Sequence, residues 1–591
     1  MENSKKTTTY LKAQVPSMQI QNIYWDRIWM YLEIANVNAS TLYLYNGKKC
    51  YAAELEKVSF ENLPDMVDFS EESKAALLTE RVSLYRINIT NPGNCKMLPD
   101  GLYRITPKAP LNDNDTDKEF VSISTEVAKR IGDFSRVFPF GHEGCYSVNM
   151  EASEDENFLP FRLRCNTSKE AADSGKTKLK KKLVKTVYNF DQLLFHKKNA
   201  KKILLFSDQN EQGSSNLKAL ANALEKAGYA YDTEYRSLLT KSYSLKDWFS
   251  TIKKMAAANY IFLDDHSPTM NWLTLKNTKI TQLWHAGVGF KSTGYSRFGM
   301  PASPGTDSGH RQYTYGVAGS KAVRHWFSEV WGINTAQVLP AGVPRIDEFL
   351  DSRVRADKVK NLLQMYPILQ NVAEPKAEVT ESKDGFQNQP RLILFAPTYR
   401  GKNKKFAYFP YQKLDLEKLY FICNKCNLIF AFKMHPFVKE QVTIPKKFED
   451  RIIDLSGYPD INDLFYLTDI LISDYSSDIY EFSLFERPML FYAFDQTSYS
   501  LSRGFHRNYE KCVPGDICTS FEELMNSLEK AEKDESYRKY LIQKASRDRD
   551  QNFDYHDTNA CARIIDWVIR DEMPDDIRAG ITYAENKVKK W

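Results

Sequence analysis

No run of apolar residues in this 591-residue chain approaches the ~20 that a membrane-spanning helix needs. The first stretch, MENSKKTTTYLKAQVP, also lacks the apolar core of about 7–15 residues that marks a secretory leader. Cysteine is scarce: nine residues, an odd number without regular spacing, which excludes a disulfide framework and fits a reducing compartment. Cys423 and Cys426 form a lone C-x-x-C in FICNKCNLIF. A zinc site would need a second pair nearby, so this pair reads as part of a packed helix or strand edge. The formal net charge of +5 is small for the length and does not argue for a nucleic-acid partner. No acidic triad or D-x-D pair stands out. FLDDHSP places Asp264, Asp265 and His266 together, a weak metal signal, so neither a metal nor a cofactor is expected.

What the chain does have is apolar material: 42% hydrophobic and 13% aromatic residues, enough for several cores. Residues 1–165 read as a β-rich accessory domain. STLYLYNGKKCYAAEL carries the hairpin signal Asn46-Gly47, SLYRINITNPG alternates and stops at Pro92-Gly93, and PDGLYRITP repeats the turn-then-strand pattern. A small antiparallel sandwich or barrel is expected. Residues 166–200 form a polar linker and a basic amphipathic helix. From Lys176 to Lys202 there are ten lysines and one acid, so that segment is +9 and the remainder of the chain −4. Leu179, Leu183, Val187 and Phe190 recur at helical spacing, as do Val184, Tyr188 and Phe195 approximately. Such a helix suits an anionic membrane surface, or it packs its apolar stripe on the next domain.

From Lys201 the pattern becomes strand–helix alternation: KKILLFSDQ, NYIFLDD, KITQLW, YGVAGS and TAQVLPAG as strands, with SSNLKALANALEKAGY and KAVRHWFSEVWG as helices. After a polar connection at 356–390 it restarts with RLILFAPT, NLIFAFKMH, RIIDLS, DILISD and RPMLFYAFD. TNACARIIDWVIRDE supplies a closing helix within 557–591. The reading is α/β: two Rossmann-type lobes, 201–355 and 391–556, each a parallel sheet covered on both faces, with ligand in the cleft at the carboxyl ends of the strands.

Polar residues just after those strands form a short set. After KITQLW comes His285, followed by Gly287 and Gly289, which permit close backbone approach, and by Lys291. After RLILFAP come Thr398 and Arg400, whose planar fork suits phosphate. After NLIFAFKM comes His435, with Lys433 on the same face of an extended strand. After DILI come Ser473 and Asp474, then Ser476 and Ser477, where a helix is expected to start and to attract a diphosphate. Glu481 lies a turn further on, placed to accept ribose hydroxyls. Each could be ordinary loop polarity or helix capping; their recurrence at equivalent positions makes a phosphate site the better reading.

The stretches WHAGVGFK, GVPRIDEF, ILFAPTYRG, FKMHP, SDYSSDIYEF, RPMLFYAFD and SRGF resemble the CDP-glycerol glycerophosphotransferase family of teichoic acid synthesis, over roughly residues 180–570. The resemblance implies a two-lobed GT-B fold, a CDP-glycerol or CDP-ribitol donor, and a lipid-linked polymer acceptor. It also implies work at the cytoplasmic face of the membrane. The family's two essential histidines fall on His285 and His435, and Arg400, Asp474, Ser476 and Ser477 fall among donor-binding positions. The sequence departs where W-H-G-T is usual, reading Trp284-His285-Ala286-Gly287, and carries Glu481 where aspartate is usual. The expected reaction is attack of an acceptor hydroxyl on the donor's β-phosphorus, with His285 as base and CMP leaving. A sugar-nucleotide glycosyltransferase and a noncatalytic polymer-binding protein are the competing readings. A homo-oligomer is left open.

Overall fold

The computed structural model describes residues 18–589 except for short internal stretches, the longest being 108–120, 153–160, 169–174, 286–290 and 376–388. Gly287 and Gly289 therefore lie outside the described residues, as does part of the 356–390 connection.

The N-terminal region folds as two facing β-sheets, one of five strands and one of six. The Asn46-Gly47 hairpin forms as its turn chemistry dictates: Thr41–Tyr45 pairs antiparallel with Cys50–Glu54, and Gly47 takes the left-handed φ of +84°. Ile20, Leu32 and Leu84 of the first sheet and Leu44, Ile105 and Leu163 of the second share one core. The pairing is antiparallel apart from Gln19–Ile20, which runs parallel to Ser122–Ile123. This sandwich is docked, not tethered. Phe298, from beyond the sandwich, enters its core and stacks on Phe138 and Phe140 at 5.8 and 5.9 Å between centroids.

Two six-stranded parallel sheets follow. The first has the spatial order Tyr231–Tyr235, Ile203–Ser207, Tyr260–Leu263, Lys279–Gln282, Tyr315–Val317, Val338–Leu339. The second runs Ile452–Asp454, Leu428–Phe432, Arg391–Phe395, Thr468–Ser473, Met489–Tyr492, Asp516–Cys518. Both are buried on both faces, so successive residues of one strand serve different cores. Leu204 and Phe206 join one and Ile203 and Leu205 another; Leu392 and Leu394 likewise oppose Ile393 and Phe395. Strand order reverses between Ile203–Ser207 and Tyr260–Leu263 in the first sheet. In the second it reverses between Arg391–Phe395 and Thr468–Ser473. Crevices open at the carboxyl ends of strands flanking such points.

The chain crosses between the lobes more than once. Ser502–Arg507 of the second lobe runs along the first: Ser292 N–H donates to Gly504 C=O at 3.1 Å, and buried His506 meets Glu329 at 2.8 Å. Arg27 of the sandwich donates to Phe505 C=O at 3.2 Å. The last helices return to the first lobe, where Ile564, Val568, Ile577 and Ile581 pack with Ile203, Leu205 and Leu339. The basic helix spans Gly175–Phe195. It buries Tyr188 and half-buries Val184 and Val187 on the first lobe but leaves Leu179, Leu183, Phe190, Leu193 and Leu194 exposed. Among the described residues no helix is long and apolar enough to cross a membrane.

Replacing Phe298 by alanine removes a ring from the sandwich core, at a cost of about 3–5 kcal/mol. The expected result is faster proteolytic release of the N-terminal module and an earlier thermal transition, with unchanged far-ultraviolet circular dichroism at 20 °C.

Candidate active site

On the first lobe the site grows from two neighbouring strand ends. Trp284 follows Lys279–Gln282 and adopts a left-handed φ of +59°, which costs a bulky residue about 1–3 kcal/mol. Its own peptide groups hold it there: Trp284 N–H donates to Gln282 Oε1 at 2.9 Å, and its C=O accepts from Asn216 Nδ2 at 2.7 Å. The turn presents His285 beyond the strand ends with its ring stacked on the Trp284 indole at 4.9 Å. His285 Nδ1 lies 3.2 Å from the Asp264 carbonyl oxygen and 3.6 Å from Asp265 Oδ2. A carbonyl only accepts, so Nδ1 carries the hydrogen and Nε2 presents a lone pair. Nearly half of this side chain is exposed, at 45%. The weak metal signal in FLDDHSP resolves into three separate partnerships. Asp264 Oδ2 accepts from Ser214 N–H, Asp265 turns to His285, and the His266 ring packs on His310 at 4.1 Å.

On the second lobe His435 has the opposite tautomer. Phe437 N–H donates to His435 Nδ1 at 3.2 Å, which leaves the hydrogen on Nε2. The ring is wedged between Tyr399 and Phe437, with centroids 4.8 and 4.7 Å away. Burial, then the nearby charges of Lys291 and Lys433, push its pKa down to about 4. It is therefore a neutral hydrogen-bond donor at physiological pH.

Several expected phosphate ligands instead build the site's frame. Arg400 is buried. Its Nε and Nη2 meet Asp495 at 2.6 and 2.8 Å, and its Nη1 meets Asp474 at 2.8 Å and the Thr398 carbonyl at 2.7 Å. The fork predicted to grip phosphate already grips two carboxylates. Asp474 also accepts from Thr398 N–H at 2.8 Å and from Tyr475 N–H at 2.5 Å, and Ser473 Oγ donates to the Ala396 carbonyl at 3.1 Å. Asp474, Thr398 and Ser473 thus stitch the two strand ends that flank the reversal point. The helix expected from Ser476 begins at Ile479 and has only five residues. Ser476 Oγ donates to Asp478 Oδ2 at 2.9 Å, and Ser477 sits in the turn, half-buried. No helix N-terminus of useful length faces the crevice from these serines. Glu481, predicted to meet ribose, is buried and paired with Arg345.

That pair joins the lobes. Arg345 comes from GVPRIDEF of the first lobe. Its Nε and Nη2 hold Glu481, its Nη1 donates to the His285 carbonyl at 2.6 Å, and its N–H donates to Asn216 Oδ1 at 3.0 Å. Positive charge gathers beside it. Lys433 Nζ donates to the Ser456 carbonyl at 3.2 Å, and burial lowers its pKa. Lys291 remains exposed at the cleft mouth, yet protein crowding its ammonium group lowers its pKa against the pull of Asp474 and Asp478. Arg503, from SRGF, donates to Tyr399 Oη at 3.2 Å and to the Gly401 carbonyl at 3.0 Å. Its charge also acts on Lys291. Asp474 is paired with Arg400, while Asp478 faces both lysines and Asp460 and Asp454 face Lys433; Lys291, Lys433 and Arg503 together still offer three cations to an anionic ligand. In the sequence Asp265 stood out only as part of a weak metal signal, and Arg345 and Arg503 only within the motifs GVPRIDEF and SRGF. Asp265 shares the signal that found the others, a polar residue directly after a strand.

Residues 188–570 match the family described as CDP-Glycerol:Poly(glycerophosphate) glycerophosphotransferase. The chain is 34% identical over 394 residues to the teichoic acid ribitol-phosphate polymerase TarK of Staphylococcus aureus, covering 66% of this chain and 72% of that one. It is 28% identical over 579 residues to the teichoic acid ribitol-phosphate polymerase TarL of the same organism, covering 92% and 98%. Among solved structures the wall teichoic acid polymerase TagF superposes with a TM-score of 0.50 at 19% identity, over 68% of this chain and 99% of that one, a likeness of fold. The chain therefore belongs to the CDP-glycerol:poly(glycerophosphate) glycerophosphotransferase family, transferases that move an alditol phosphate from a CDP-alditol in teichoic acid synthesis.

Proposed function

We propose that the protein extends a poly(ribitol phosphate) chain, moving ribitol phosphate from CDP-ribitol to the terminal hydroxyl of a lipid-linked acceptor. The ribitol assignment rests on TarK and TarL, both named ribitol-phosphate polymerases, TarL matching along nearly its whole length. The observation that carries the chemistry is the pair of imidazoles with opposite tautomers, one per lobe: His285, whose carbonyl is held by the lobe-joining Arg345, and His435, beside Lys291 and Lys433. In this reading the two lobes form a GT-B pair. The first holds the acceptor and the second the donor, with residues 1–165 as an accessory module and 166–200 as a linker and surface helix.

His285 Nε2 takes the proton of the acceptor hydroxyl as its oxygen bonds to the β-phosphorus. The bond from that phosphorus to the bridging oxygen breaks, and CMP leaves with the electron pair. A single in-line displacement inverts configuration at phosphorus. His435 Nε2–H, Lys291, Lys433 and Arg503 bind the diphosphate oxygens and stabilise the charge that develops there. Arg400 and Asp474 contribute by holding the loops that carry these groups.

The exposed Leu179, Leu183, Phe190, Leu193 and Leu194, among the lysines of the basic helix, supply a surface for anionic lipid, continued by exposed Leu245 and Phe249 of the next helix it packs on. On that surface the enzyme sits peripherally, facing its lipid-linked acceptor.

CMP release is expected to be much faster from CDP-ribitol than from CDP-glycerol with the same acceptor; the reverse order would reassign the donor. His435→Ala is expected to lose about a hundred- to thousandfold in kcat with the fold intact, the scale for one lost donor to developing charge. Free His435 should titrate near pH 4 by NMR. The sign follows: its folded pKa lies below the unfolded value of about 6.5, so this group's contribution to stability declines as pH falls from there towards 4. Binding to phosphatidylglycerol vesicles should exceed binding to phosphatidylcholine vesicles, weaken in high salt, and drop in Leu193→Asp. Equal binding to both lipids would remove the anionic-surface assignment.

A further inference from the structure

The His285 imidazole is held through Nδ1, and the structure places a carboxylate on that same edge. Asp265 Oδ2 lies 3.6 Å from Nδ1, beside the Asp264 carbonyl that accepts its hydrogen. This carboxylate is positioned from several sides. Asp265 Oδ1 accepts from His266 N–H at 2.6 Å. The Asp265 carbonyl accepts from Gln282 Nε2 at 3.0 Å, while Gln282 Oε1 accepts from Trp284 N–H at 2.9 Å. One fully buried amide therefore sets the backbone of both the carboxylate and the imidazole. Gln282 is itself fixed by Tyr313 Oη at 3.0 Å. The loop before it is anchored by buried Asp208, which accepts from Ser267 Oγ at 2.5 Å and pairs with Arg236.

The other charged groups nearby have different partners or lie farther from Nδ1. Asp264 points its carboxylate at Ser214 N–H. His266 stacks on His310, away from His285. Arg345 touches the His285 carbonyl, not the ring, and is balanced by Glu481. Among the described residues Asp265 is the carboxylate paired with the ring, 3.6 Å from Nδ1, whereas Asp264 meets it through its peptide carbonyl.

We infer that Asp265 is a positioning residue for the transfer reaction: its carboxylate stabilises the imidazolium that forms when His285 takes the acceptor proton. The inference rests on the base role proposed for His285. Proton movement balances simply: the hydroxyl hydrogen passes to Nε2, Nδ1 keeps its hydrogen against the Asp264 carbonyl, and Asp265 stays ionised. Because that carbonyl fixes the tautomer without Asp265, loss of the carboxylate weakens the base and does not invert it.

The test is Asp265→Asn in the full chain, which retains an oxygen for His266 N–H. A unit charge near 4 Å in a half-exposed site contributes between the fully aqueous and interior limits. The expected effect is a roughly ten- to hundredfold lower kcat at neutral pH. KM for the donor should be unchanged, and the acid limb of the pH–kcat profile should move to lower pH. Asp265→Glu should restore part of both. In parallel, the Cε1–H resonance of His285, assigned by its loss in His285→Gln, should titrate at lower pH in Asp265→Asn than in the parent. Unchanged kcat, or a loss uniform across pH with an unmoved titration, overturns the inference. If the parent releases no CMP from either donor, the proposed function fails. The resonance titration still decides whether Asp265 governs the ring.

Discussion

The arrangement depends on one buried contact, Arg345 with Glu481. An ion pair removed from water gains little net stability unless its remaining donors and acceptors are met. Here they are. Arg345 spends Nη1 on the His285 carbonyl and its peptide N–H on Asn216, whose amide in turn holds the Trp284 carbonyl. Burial raises the pKa of Glu481, and the Arg345 guanidinium opposes that rise. The pair therefore fixes more than distance. It sets the strained Trp284 turn of one lobe against the Ser476–Glu481 turn of the other, so both halves of the site share one reference point.

Polar residues that follow parallel strands divide into two trades. Some reach outward: His285, His435, Lys291. Others turn inward and tie strand ends together: Ser473, Asp474, Thr398, Arg400. The same sequence pattern produces both, because a crevice at a reversal point needs walls as well as ligands. Which trade a residue takes is decided by neighbours remote in the chain. Asp495, 95 residues away, captures the Arg400 fork. The motif APTYRG carries no trace of it.

The sheets themselves were legible. Central strands such as Leu428–Phe432 and Thr468–Ser473 are buried on both faces and read as unbroken apolar runs. The edge strands Tyr231–Tyr235 and Asp516–Cys518 escaped notice because solvent on one side lets them be polar or short. The start of the helix after Ser476 was misplaced for a related reason: Ser-Ser-Asp caps equally well from any of its positions, and tertiary packing chose Ile479. The tautomers of the two histidines had no sequence signal. They depend on a carbonyl in one case and a peptide N–H in the other.

The return of the C-terminal helices to the first lobe bears on how the molecule is made. Ile203 and Leu205 emerge early, but Ile564, Val568 and Ile581 that cover them are synthesised last. At about 5–20 residues per second, the interval from Leu339 to Ile581 is on the order of 10–50 s. During that time the core under Ile203 and Leu205 holds Leu217, Leu220 and Leu224 of the helix Ser215–Lys226 but lacks its later members. The first lobe therefore reaches its full core only after every strand of the second has been made.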